Sequence, residues 1–162
     1  MRVWPWLVVA LLALYVWAAY YRAPPRVSVL QTSLEAFAVD ALLQKQPLVI
    51  QDRVADLREL RRAWFALNPV KHATAAAGAW SRVRSKWCLM QPTEDAEILL
   101  CPPRCAMVQE AGAYVPHAEA HLIALPLAAG QVVVVPRRYH THVESEKVTV
   151  MLVDDWVSWA LP

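Results

Sequence analysis

Three side chains form the strongest metal-ligating pattern in the chain: His117, Glu119 and His142. His117-Ala118-Glu119 sets an imidazole and a carboxylate two residues apart, and side chains at i and i+2 project to the same side of a strand. A second imidazole, from His142, completes three ligands on one face of a transition metal and leaves the other positions open. The interval is tight: 23 residues separate His117 from His140, and 25 separate it from His142. The competing reading has His117 and His121 flanking a strand end, with His140 and His142 along a polar rim.

Cys101 and Cys105 bracket Pro102-Pro103-Arg104, and with Cys88 and His117 they offer a tetrahedral zinc set at unusual spacing. The favoured reading for Cys88 and Cys101 is core packing, because a free thiol packs as a small hydrophobe. If a disulfide forms, Cys101 with Cys105 closes a loop, or Cys88 pairs with either, leaving one odd thiol. Ser158 sits in no nucleophile elbow. With only Gly78, Gly112 and Gly130, the chain has no glycine-rich phosphate loop or dinucleotide fingerprint.

The elements that would position these groups fall into two parts. Of the 19 residues from 3 to 21, only Pro5 lies outside the apolar set. At 1.5 Å per residue they span about 29 Å, close to a bilayer's hydrocarbon thickness. Trp4 and Trp6 stand at one end and Trp17, Tyr20 and Tyr21 at the other, as in interfacial aromatic belts. The segment predicts a transmembrane anchor over 1–22, single-pass, with the lipid bilayer as partner and a linker over 23–31. A cleaved signal peptide ending at Val16-Trp17-Ala18 is the alternative. Arginines at both ends leave the orientation undetermined.

Sixteen basic and fourteen acidic residues give a net charge of +2. Arg2, Arg22 and Arg26 flank the apolar segment and every acid follows position 26, so 27–162 holds thirteen cations against fourteen anions. That balance gives no electrostatic footprint for nucleic acid.

The remainder, 32–162, predicts one mainly β domain behind two short α-helices. Thr32 to Glu35 fits a capping box ahead of Leu34, Phe37, Ala38, Ala41 and Leu42 at helical spacing. Asp52 is placed to cap a second helix with stripe Leu57, Leu60, Trp64 and Leu67, stopped at Asn68-Pro69. Seven short runs, several rich in Val, Ile and Leu, then recur between turn signals: 85–90, 97–101, 106–109, 119–125, 131–135, 139–143 and 148–153. Such spacing indicates a sandwich or barrel. His72 falls in a loop before the Ala-rich stretch 73–79, and Trp156 and Trp159 in a short terminal segment.

Two stretches resemble the Jumonji-C and cupin-like family. One runs from Leu34-Glu35-Ala36-Phe37 through Lys45-Gln46-Pro47-Leu48-Val49-Ile50 to Asp56 and Trp64. The other, Gly130-Gln131-Val132-Val133-Val134-Val135-Pro136, is similar to the family's Gly-x5-Pro strand. The resemblance implies a double-stranded β-helix, and for active members an Fe(II)/2-oxoglutarate oxygenase with a His-x-Asp/Glu pair and a distant His. The family's last iron His would fall five residues after Pro136, at Thr141. Strand alternation turns His140 and His142 away from Thr141, and both face outward if Tyr139 takes the inward aromatic place. The interval from His117 is also shorter than the family's.

The reading that follows is a membrane-anchored cupin-like protein with a structural or binding role, non-catalytic, with a protein partner or a second copy of itself. Short anchored chains of this kind look similar to proteins of large DNA viruses, which implies a virion-associated role. The alternatives are an Fe(II)/2-oxoglutarate hydroxylase using His117, Glu119 and His142, and a secreted cupin-like binding domain after signal cleavage.

Overall fold

The computed structural model describes residues 4–21, 28–103, 107–117 and 121–154. Glu119, Cys105, the proline-rich spacer and the Trp156–Trp159 segment lie outside them.

Helix α1 (Trp4–Tyr21) occupies the predicted anchor. Among the described residues, however, no helix is long and apolar enough to cross a membrane. The physical reason is at its ends. Pro5 and the Trp and Tyr residues leave an uninterrupted run of only Leu7 to Leu14, about 12 Å at helical rise, less than half a hydrocarbon core. The transmembrane anchor, and the single-pass localisation read from it, are corrected accordingly. The described side chains of α1 are exposed.

The rest is mainly β, built on two facing sheets. Twelve strands are described: β1 (Leu30–Thr32), β2 (Leu48–Ile50), β3 (Val70–Thr74), β4 (Ser81–Arg82), β5 (Trp87–Pro92), β6 (Ala96–Cys101), β7 (Met107–Glu110), β8 (Ala113–Pro116), β9 (Ile123–Leu127), β10 (Val132–Pro136), β11 (His140–Val143) and β12 (Val148–Val153). The larger sheet has the order β1-β2-β10-β5-β12-β3 and the smaller β4-β11-β6-β9, with β7-β8 a separate hairpin. Apart from parallel β1-β2, the strand pairs are antiparallel.

Burial explains why this sheet reads as continuous apolar runs. Alternate residues of one strand enter two different cores. Leu48, Ile50, Leu89, Val132, Val134, Met151 and Val153 face a layer made by Phe37, Leu42, Leu57, Leu60 and Phe65. Val49, Cys88, Met90, Val133, Val135, Val148 and Val150 face the smaller sheet's Ile98, Leu100, Leu125, Leu127 and Val143. A strand buried on both faces has no polar phase, and Val132 to Val135 are all fully buried.

The outer layer corrects the two predicted helices. Thr32 ends β1 instead of capping a helix, since Gln31 and Thr32 pair with Val49 and Ile50 of β2. The Ser33 hydroxyl accepts from the Ala36 amide, and the helical pattern is realised only as a 3-10 helix, Val39–Gln44. Lys45 ends it in a left-handed conformation, φ 55°. The second helix is α2 (Leu57–Trp64), capped by Asp56, whose carboxylate accepts from the Arg58 amide at 2.8 Å. Asp52 instead accepts from the Leu34 amide, tying the two layers. Leu67, read as part of the stripe, is exposed because α2 has already ended. His72 lies on β3, an edge strand whose side chains from Lys71 to Thr74 are exposed and therefore carry no apolar alternation.

Gly130 makes the β9–β10 turn possible. Its φ is +83°, and a Cβ there would meet the Arg53 side chain at 3.4 Å. Its carbonyl accepts from the Val54 amide and its own amide donates to the Pro92 carbonyl.

Candidate functional site

Between the two sheets lies a cavity of about 270 Å³, on the side where β3 and β4 are the edge strands. Its floor is apolar: Met90, Val143 and Val150 are buried. Its wall is the Ala-rich segment after β3, where small side chains leave space. Ser81, Arg82 and Arg84 are exposed lining residues, so the cavity opens along β4.

The strand alternation of β11 decides which groups reach this space. Thr141 and Val143 line the cavity. Tyr139 belongs to the same core. His140 and His142 therefore project from the opposite face of the smaller sheet. Thr141, 4% exposed, pairs in register with Ser81, and their hydroxyl oxygens are 3.1 Å apart. These two hydroxyls face each other above the apolar floor, with Thr74, Ser85 and the two arginines also in the lining. Among the described lining residues no imidazole or carboxylate stands beside either hydroxyl, the imidazoles of β11 being on the other face.

Cys88 also lines the cavity. Burial pushes its thiol up to about 12, and its first cause is desolvation, so it is held as the unreactive thiol rather than the thiolate. It is the free buried cysteine, whereas Cys101 is disulfide-bonded. Both cysteines are buried strand residues as the packing reading has it, but Cys101 is there as half of a disulfide and not as a free thiol. The zinc set read from Cys88, Cys101 and His117 loses its thiolates with it.

Of the predicted metal residues, His117 and His142 are described. His142 sits on the outer face of β11. His117 is exposed beyond β8 in the separate hairpin. Glu119 lies outside the described residues. Among the described residues no three His, Cys, Asp or Glu side chains come together. An iron site of the resembled kind would draw its last histidine from the place of Thr141 on β11. The lining from 81–85 and β11 is Ser81, Arg82, Val83, Arg84, Ser85, Thr141 and Val143, which supply hydroxyls, guanidinium groups and hydrocarbon. They do not fit the two-histidine, one-carboxylate set of non-haem iron.

The outer face of β11 has its own cluster. His140 packs edge-on against Tyr114 with centroids 4.7 Å apart, and His142 lies 5.2 Å from the ring of Trp80. An isolated bridge joins Trp80 to Tyr114, so the β7–β8 hairpin roofs this face. His140 is only 8% exposed, not the rim residue that its polarity suggests. Burial first, and the Arg82 guanidinium second, hold its pKa below the ordinary histidine value. Sequence reasoning missed Ser81, Trp80 and Tyr114. The signal available was the alternation Ser81, Val83, Ser85 after a run of alanines, which is too short to stand out. Neither a scan against family models nor a search of curated proteins finds a match for this chain.

Proposed function

We propose that this chain carries a cupin-like double-stranded β-helix that acts as a binding domain, holding a small amphipathic ligand between its sheets without the family's iron chemistry. The strand order supports the resemblance. Strands β3, β12, β5 and β10 face β4, β11, β6 and β9, with the chain passing from sheet to sheet at most steps. The Gly130–Pro136 stretch is the turn and strand β10, and it leads into β11 as the resemblance implies.

The observation that carries the binding reading is Thr141. It occupies the cavity-facing place of the implied iron histidine, and it is bonded to the Ser81 hydroxyl. The fitting ligand has a short apolar body for the valine and methionine floor. Its hydroxyl or carboxylate head meets Ser81 and Thr141, with Arg84 at the mouth. A few placed polar groups in an apolar pocket are the usual basis of small-molecule selectivity.

A thermal-shift series on the full chain tests this, with short-chain carboxylates, the matching alcohols, and Fe(II) with 2-oxoglutarate. Carboxylates are expected to stabilise, by about 2.7 kcal/mol at 100 times the dissociation constant. Thr141→Val, which preserves shape, and Arg84→Gln are expected to weaken that shift. Stabilisation by Fe(II) with 2-oxoglutarate, or none by any carboxylate, overturns the reading.

The disulfide at Cys101 favours the secreted form of the same proposal, because disulfides persist in oxidising compartments. A thiol count on protein from its native source checks it: one free thiol is expected, and three would oppose it.

A further inference from the structure

Strand β11 leaves an unusual debt on its outer face. Both ring nitrogens of His140 and the Nδ1 of His142 are buried without a hydrogen-bond partner. Buried polar atoms are nearly always satisfied, and each that is not costs about 1–3 kcal/mol. Three such nitrogens belong to two imidazoles at i and i+2, which project side by side from one strand. An imidazole that forms no hydrogen bond is a Lewis base with a free lone pair, and imidazole is a preferred ligand of Zn2+, Ni2+ and Cu2+.

We propose that His140 and His142 form a two-imidazole site for a divalent transition-metal ion, Zn2+ in the first instance, beneath the β7–β8 hairpin. The site is separate from the cavity, since β11 turns Thr141 to one side and these two histidines to the other. It does not depend on the cavity reading. Two protein ligands leave the remaining tetrahedral positions to water or to an exogenous donor.

The surroundings set the terms of binding. Tyr114 and Trp80 wall the two rings with aromatic faces. Cys101, in register with His140 across β6, is disulfide-bonded and donates no thiolate. Arg82, in register with His140 across β4, places a positive charge beside the site. That charge opposes a bound cation, so the site is expected to be of modest affinity and to improve when the charge is removed.

Calorimetric titration of the full chain, first stripped with a chelator, tests this with Zn2+ as probe and Ca2+ as control. Co2+ absorption in the visible reports nitrogen coordination directly. One equivalent of Zn2+ is expected to bind, with no Ca2+ binding. Affinity is expected to fall at least about tenfold in His142→Gln and in His140→Gln, each of which removes one of two ligands. Arg82→Gln is expected to tighten binding about fivefold, and His72→Gln, on exposed β3, to change nothing. Should His140→Gln not fold, the half-exposed His142 still carries the test. No stoichiometric Zn2+ binding by the wild type, or binding that survives His142→Gln undiminished, overturns the proposal.

Discussion

At the scale of single residues, the polar atoms buried around β11 dominate. Tyr139 is almost wholly buried, yet its hydroxyl has no hydrogen-bond partner. The ring earns its place through packing alone. Tyr139→Phe is therefore expected to raise stability by about 1 kcal/mol, since it removes an unsatisfied group and keeps the shape. For a chain of this size that is a rise of about 3 °C in Tm, measurable by calorimetry. Cys88 gives a pH-dependent counterpart. Its thiol is pushed from an ordinary 9.0 up to about 12 by burial. Between those values the unfolded chain has lost the proton that the folded chain retains, so the unfolded state binds fewer protons and stability falls as pH rises. Unfolding free energy is expected to decline from about pH 9 upward. Cys88→Ala should flatten that decline, as urea melts at stepped pH would show. Native protein should also resist iodoacetamide at Cys88 and become reactive only in denaturant.

At the scale of elements, local chemistry accounts for the junctions. Asp56 caps α2 through the Arg58 amide, so Asp56→Ala is expected to cost about 1 kcal/mol in an equilibrium melt. Asp52 has a different duty, closing the Leu34 amide, and Asp52→Ala should loosen the 33–37 turn while leaving α2 capped. Gly130→Ala forces an alanine to φ +83° with its Cβ against Arg53. The expected loss is about 1–2 kcal/mol, seen as a lower denaturant midpoint with an unchanged slope. In these elements the legible and illegible parts separate cleanly. Val132 to Val135 announced β10, because burial on both faces leaves only hydrocarbon, and Val148 to Val153 announced β12, apolar but for exposed Thr149. Exposed β3 and two-residue β4 had no such signature. The Thr32–Glu35 capping pattern was real as a pattern, but pairing of β1 with β2 outweighed it.

At the scale of the whole molecule, the two sheets share their strands with two cores, and none of the described side chains of α1 belongs to either. Its described side chains are exposed. A chain beginning at residue 28 is therefore expected to melt within about 1 °C of the full chain, and a larger loss would show that α1 contributes to the fold. The central pairings are far apart in sequence. Strand β5 pairs with β12, Met90 opposite Val150, and β12 also pairs with β3. Loop closure of that span precedes its reward, so refolding is expected on the millisecond-to-second scale in stopped-flow fluorescence.

The mainly β class, the position of most long strands, the turn at Gly130 and the outward phase of His140 and His142 were determined by the amino-acid sequence. Each rests on local chemistry: hydrocarbon periodicity, a residue that tolerates positive φ, and the two-residue alternation of a strand. The pairing of Ser81 with Thr141 and the cavity behind them were decided only by tertiary structure. So was the roof of Tyr114 over His140. These depend on which strands become neighbours. Residues sixty positions apart meet through the summed burial of two cores, and no spacing within a single segment encodes that sum.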